Sequence, residues 1–390
     1  MVQHILIRTR GIKSLKKTLR ISRIKTDFWF LIRGVLQRAI PLLSAGALLL
    51  SLVPLFAVER PKTPADKPWP ELLLEAGRRL TYEQSIQSER DVNGKQGFWS
   101  RLAGIVAGPP EYRQMARPYG IAVDSHGRVI VTDPAISAVH IFDLAKRKYK
   151  LIDRWDKNRD PMIAPQCAAV DEKDNIYITD SEAGKVFVFD PQGKIRKVFG
   201  SLKGGEGFFK RPTGIAIDRE THRVYVTDTL ADRVYILDTD GRVLRSFGEH
   251  GEERGEFNFP IEVQAKDGEV VVVDAMNFRV QLFDRDGNFE AQIGTTGDPA
   301  GGIYRPKGVG IDSENHIYVV DSELGLVQVF DRRGRLLYRF GNGTNFGQFL
   351  LPAGLFIDQN DRVYLVDSYN RRVQVFQYHA LQQNAMGAQP

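Results

Sequence analysis

Gly214-Ile-Ala-Ile-Asp218, Val224-Tyr-Val-Thr-Asp228, Arg233-Val-Tyr-Ile-Leu-Asp238 and the run from Arg242 to Phe247 are four short stretches rich in β-branched and aromatic residues. Turn signals part them: Asp218-Arg-Glu-Thr-His222 after the first, and Asp240-Gly241, a pair that accepts positive φ in a hairpin, before the last. They read as four antiparallel strands. The second is apolar at nearly every position, the pattern of a strand covered on both faces. Outward from this unit the same phrase recurs, each time from a proline: Pro118, Pro165, Pro212, Pro260, Pro306 and Pro352, spaced by 47, 47, 48, 46 and 46 residues. The inner-strand pattern repeats as Ile176–Asp180, Val270–Asp274, Ile317–Asp321 and Val363–Asp367. One four-stranded sheet cannot bury both of its faces, whereas six set radially can, with only short edges left open. Repetition at this period therefore predicts an all-β fold, a six-bladed β-propeller with four antiparallel strands per blade.

The sixth copy reaches its third strand at Arg372 to Gln377 and has no fourth. Upstream, Phe98-Trp-Ser-Arg-Leu-Ala-Gly104 carries the fourth-strand pattern of apolar residues followed by glycine. It is predicted to cross to the last blade and close the ring, which removes two open sheet edges. Residues 98–378 are then the propeller.

The phrases Gly347-Gln-Phe349, Pro352-Ala-Gly354 and Val363-Tyr-Leu-Val-Asp367-Ser-Tyr-Asn370-Arg-Arg372-Val resemble NHL repeats, as do Asp274-Ala-Met-Asn277-Phe-Arg279 and Gly255-Glu-Phe257 with Pro260. The resemblance covers roughly residues 98–378 and recurs in phase six times. It implies the fold but no single function, because NHL propellers include protein-binding modules, RNA-binding modules and a few lyases. NHL-type amidating lyases carry metal-binding histidines where the first strands begin. The matching positions here run from Tyr119 and Gly120 to Ala353 and Gly354, and none is histidine. The zinc site of those relatives is thus not expected, and no cofactor, metal site or catalytic residue is assigned.

Charge divides the chain. Residues 1–38 hold ten Lys or Arg against one acid, Asp27, a net of +9; the whole chain is +6, so the remainder is 6 − 9 = −3. Ala39 to Val58 follow without a charge. Twenty residues at 1.5 Å each make about 30 Å of helix, one hydrocarbon core. A basic flank before such a run predicts a single transmembrane signal anchor with the propeller outside, on the periplasmic or extracellular side of the plasma membrane. The alternative is a cleaved signal peptide and a secreted propeller. Residues 59–97, with Pro61, Pro64, Pro68 and Pro70, read as an extended linker carrying a short helix at Glu71 to Leu80. Residues 379–390 read as a loose tail. The single cysteine, Cys167, permits no internal disulfide and is expected to be a small buried residue.

The strand-end aspartates Asp133, Asp180, Asp228, Asp274, Asp321 and Asp367 could suggest a cation ring, but the same residue in every blade points to turn-building through backbone N–H groups. Function is sought where the copies differ. The loops leading into the first strands carry Arg117, Arg211, Glu262, Arg305 and Lys307, and those between second and third strands carry Asn277, Phe278, Tyr369, Asn370 and Arg371. These ten are the candidate ligand-binding residues, since loops on a rigid scaffold commonly carry binding. The expectation is a monomeric propeller that binds a protein or cell-envelope ligand. The alternatives are a lyase- or hydrolase-like enzyme with a channel site, and nucleic-acid binding, against which the net −3 of the propeller argues.

Overall fold

The computed structural model describes residues 71–74, 77–93, 112–154, 162–201, 207–294, 301–341 and 348–380. All lie in the second of two compact units, Pro68–Pro390. The basic segment 1–38, the apolar run 39–58 and residues 381–390 of the expected tail fall outside the described residues. No described helix is long and apolar enough to cross a membrane.

Six antiparallel sheets follow one another along the chain, at 121–152, 165–199, 212–247, 260–293, 306–341 and 355–379. In blade 3 the strands Pro212–Asp218, Arg223–Asp228, Arg233–Leu237 and Val243–Phe247 lie side by side in that order. Their register pairs Ile215 with Val226 and Tyr225 with Ile236. The second strands are buried almost throughout, as their unbroken apolar runs require. The core lies between blades: Tyr177, Val188 and Phe199 of blade 2 pack on Phe209, Ile215 and Val226 of blade 3. A cluster joining Val366 and Val373 of blade 6 to Ile121 and Val131 of blade 1 closes the circle, and Gly354 N–H donates to the Tyr119 carbonyl across that junction at 2.8 Å.

The strand that completes blade 6 is Arg79–Ile86, paired with Arg372–His379; Leu72–Leu73 adds a fifth strand outside it. An N-terminal segment does complete the last blade, but it is not Phe98–Gly104, which lies outside the described residues. The propeller therefore begins within the stretch read as a 59–97 linker, and among the described residues of Glu71 to Leu80, where a helix is expected, Leu72–Leu73 and Arg79–Leu80 are strand. The physical reason is burial. Leu80 and Ile86 are fully buried, Leu80 against Phe376 and Tyr378, and Ile86 in the cluster that includes Val373. Helix propensity does not compete with a waiting sheet edge. Arg78 adds a forked pair to Glu314 on blade 5, at 2.8 and 2.9 Å. The third strand of blade 6 also runs two residues further than expected, to His379.

Candidate binding face

Because the strands of a blade run up and down, the loops that lead into first strands share one face with the turns between second and third strands. This lead-in face is pinned by the strand-end aspartates. Asp133 accepts N–H bonds from Ala116 and Arg117, Asp180 from Ile163 and Ala164, Asp228 from Lys210 and Arg211, and Asp321 from Tyr304 and Arg305. They are structural, as expected, though their main partners lie 16 to 18 residues upstream rather than in the following turn. Local turn-building belongs to the aspartates closing the first strands, such as Asp124, which takes the N–H groups of His126 and Arg128.

The ten predicted residues divide on this frame. Arg117, Arg211 and Arg305 are exposed, and only their backbone N–H groups serve the latch. Arg305 has Glu323 at 3.7 Å, both well exposed. Tyr369 is 59 % and Phe278 37 % exposed. Phe278 and Arg371 hold φ of 53° and 56°, the left-handed conformation that Gly184 and Gly325 adopt in the equivalent turns of blades 2 and 5. Asn277 and Asn370 are committed to structure: the Asn277 amide donates to Asp274 and to the Gly251 carbonyl, and that of Asn370 to both oxygens of Asp367.

Glu262 is not on an exposed loop. It lies inside the strand Pro260–Lys266, only 4 % exposed. Glu262 and Cys167 stand where the other four blades carry Gly120, Gly214, Gly308 and Gly354. A Cβ at Gly214 would meet Glu262 Cα at 2.6 Å, and one at Gly120 the Gln166 carbonyl at 2.4 Å, so the first strands converge here to a narrow neck. Across Gly214, Cys167 Sγ donates to Glu262 Oε2 at 3.0 Å. Burial pushes the Glu262 carboxyl up to about 7, against the lowering effect of the thiol and the Val263 N–H. Burial first, then Glu262, also drives the Cys167 thiol well above its ordinary value, which makes it inert rather than nucleophilic. Half-buried Lys307 completes the neck, with Nζ 6.0 Å from the Tyr119 ring centre. Its pKa is lowered by burial and by neighbouring Arg305.

Of the apolar dressing of this face, sequence reasoning named Phe278 and Tyr369 and missed the rest. Of the fourteen large apolar side chains exposed among the described residues, the lead-in loops supply Ile163, Phe208, Phe259, Tyr304, Leu350 and Leu351. The turns between second and third strands supply Ile136, Leu230, Met276, Phe278 and Tyr369. Only Leu73, Val243 and Leu244 lie elsewhere, on outer strands. The signal was available: apolar residues stand just before the prolines of blades 4 and 6, where a solvated loop would be polar. Eleven exposed apolar side chains thus share one face with the loop arginines.

The opposite face holds a cavity of about 700 Å³ at the centre, walled by small residues such as Ala168, Ala169, Ala216 and Gly310. At its rim the donor atoms of Asp124, His126 and Asp174 lie within 4.8 Å of one another. Asp174 there receives Ser125 N–H and Oγ–H, and Asp361 receives Ser313 in the same way between blades 5 and 6. The repeat identifies this cluster as a fastening between blades.

Residues 258–334 match a family model described as a six-bladed beta-propeller. Protein brain tumor of Drosophila melanogaster is 25 % identical over 178 residues, 45 % of this chain; the match spans only 12 % of that relative's length. A structural genomics protein of unknown function from Bacteroides thetaiotaomicron superposes with a TM-score of 0.57 at 14 % identity, over 80 % of this chain and 84 % of that one. A streptogramin B lyase structure gives 0.51 at 14 %, over 68 % and 94 %. An auxiliary nutrient binding protein from Bacteroides thetaiotaomicron gives 0.51 at 13 %, over 68 % and 70 %. At these identities the likeness is one of fold, and the chain carries a six-bladed β-propeller.

Proposed function

We propose that this chain is a binding scaffold of NHL type, held at the outer side of the plasma membrane by residues 39–58, that captures a protein or cell-envelope ligand on its lead-in face. The observation that carries the proposal is the gathering of exposed apolar side chains on that face, around a closed neck. Exposed Tyr304 and Tyr369 beside the loop arginines are residue types enriched at binding hot spots. The +9 tail before an uncharged run supports the orientation. The test is crosslinked affinity capture of the full-length protein from its own membranes, beside a Met276→Asp/Tyr369→Asp variant. The proposal expects a stoichiometric partner that the variant loses while its melting temperature holds. Equal capture by both proteins would refute it.

A further inference from the structure

Arg117, Arg211 and Arg305 occupy the residue before the proline in blades 1, 3 and 5, while blades 2, 4 and 6 place Ala164, Phe259 and Leu351 there. Each arginine N–H is held by its own strand-end aspartate, so the three positions are equivalent and form a triangle around the neck. Within the triangle lies the half-buried Lys307 ammonium. Among the described residues no carboxylate lies within ion-pair distance of Arg117, Arg211 or Lys307, and Arg305 has only the long contact to Glu323. The acid beneath, Glu262, is buried against Cys167, and burial pushes its carboxyl up to about 7, so that it does not carry a full charge at neutral pH. Uncompensated cations are thus concentrated at the centre of an apolar ring.

We infer that this neck is a carboxylate-binding site, taking an acidic side chain borne on an apolar segment of a protein partner; the inference rests on the binding role proposed for the face. Two observations favour this occupant over a polyphosphate chain. Exposed Glu249, Glu252 and Glu253, on the loop leading into blade 4, would repel a phosphate backbone laid across the face. The neck is also narrow, since at four of its six strands an added Cβ would collide with the neighbouring first strand, which leaves room at the centre for a side chain rather than for a chain of phosphates. One acidic residue at the centre with apolar neighbours on the surrounding ring meets both constraints. Desolvated charge pairs of this kind govern specificity and dissociation, and long-range attraction speeds association.

The test is selection of a random peptide library, displayed on phage, against the immobilised full-length protein. Selected peptides are then measured singly against wild type, Arg117→Glu/Arg211→Glu, Lys307→Met and Met276→Asp/Tyr369→Asp. The arginine side chains make no bond among the described residues, so their reversal leaves the blades intact, which an unchanged melting temperature checks. The expected peptides carry Asp or Glu flanked by apolar residues. Their affinity falls about tenfold or more on Asp→Asn in the peptide, on arginine reversal and on Lys307→Met, and weakens with salt. Peptides lost on the Met276/Tyr369 variant but indifferent to arginine reversal would overturn the carboxylate site and leave the binding face standing. Peptides indifferent to both variants, or no selected peptide at all, would overturn both. A polyuridylate oligonucleotide that binds more tightly than any peptide, and is lost on arginine reversal, would overturn the inference in favour of a phosphate ligand.

Discussion

Glu262 is a residue whose chemistry can be separated from its packing. Its carboxyl titrates near 7 in the folded chain and near the ordinary 4.5 when unfolded. Between those values the unfolded chain has released a proton that the folded chain still holds. Stability therefore falls as pH rises from about 4.5 to about 7, by roughly 3 kcal/mol at full effect. Glu262→Gln keeps the shape and removes the titration. Urea unfolding of the variant is expected to lose this component of the pH slope and to show a higher midpoint than wild type at pH 8. An unchanged slope would mean that Glu262 is ionised in the fold. Phe278 offers a second test. A bulky residue at φ 53° costs about 1–2 kcal/mol in a turn where blades 2 and 5 use glycine. Phe278→Gly is expected to raise stability by up to about 1 kcal/mol while weakening capture, the trade-off of a residue kept for its surface. Thermal melts and binding titrations on one preparation decide it.

Among the elements, the strand Arg79–Ile86 bears the closure of the ring. Leu80→Ala removes a fully buried side chain from the blade 5–blade 6 cluster and is expected to cost about 2–5 kcal/mol, read from denaturant midpoints. A cost below 1 kcal/mol would show that the ring closes by other means. Thr179 tests the joints between blades. Its hydroxyl accepts Cys167 N–H at 3.0 Å and donates to the Thr213 carbonyl of the next blade at 2.5 Å. Blades 4 to 6 place Val273, Val320 and Val366 at that position. Thr179→Val leaves a buried N–H unpaired and is expected to cost about 1–3 kcal/mol. The repeat made blades 1 to 5 legible in the sequence, because every strand there is flanked by its own turn signals. Leu80-Thr-Tyr-Glu-Gln-Ser-Ile86 was not legible. Its half-polar pattern carries meaning only beside a sheet edge contributed by residues some 300 positions away. Glu262 was misplaced for a related reason. Spacing located it at the start of a first strand, but only the convergence of six strands shows that this position is buried.

At the scale of the whole molecule, the ring sets two unlike faces apart. One is fastened by serine–aspartate pairs and opens on the central cavity; the other is dressed with apolar side chains and arginines around a closed neck. We propose that partners meet the second. Site-specific photocrosslinking in the full-length protein decides this, with a photoreactive phenylalanine analogue placed at Met276, at Tyr369 or, on the cavity face, at Gln359. One shared crosslinked partner is expected from Met276 and Tyr369, and none of it from Gln359. The same partner trapped from Gln359, with Met276 and Tyr369 silent, would contradict it.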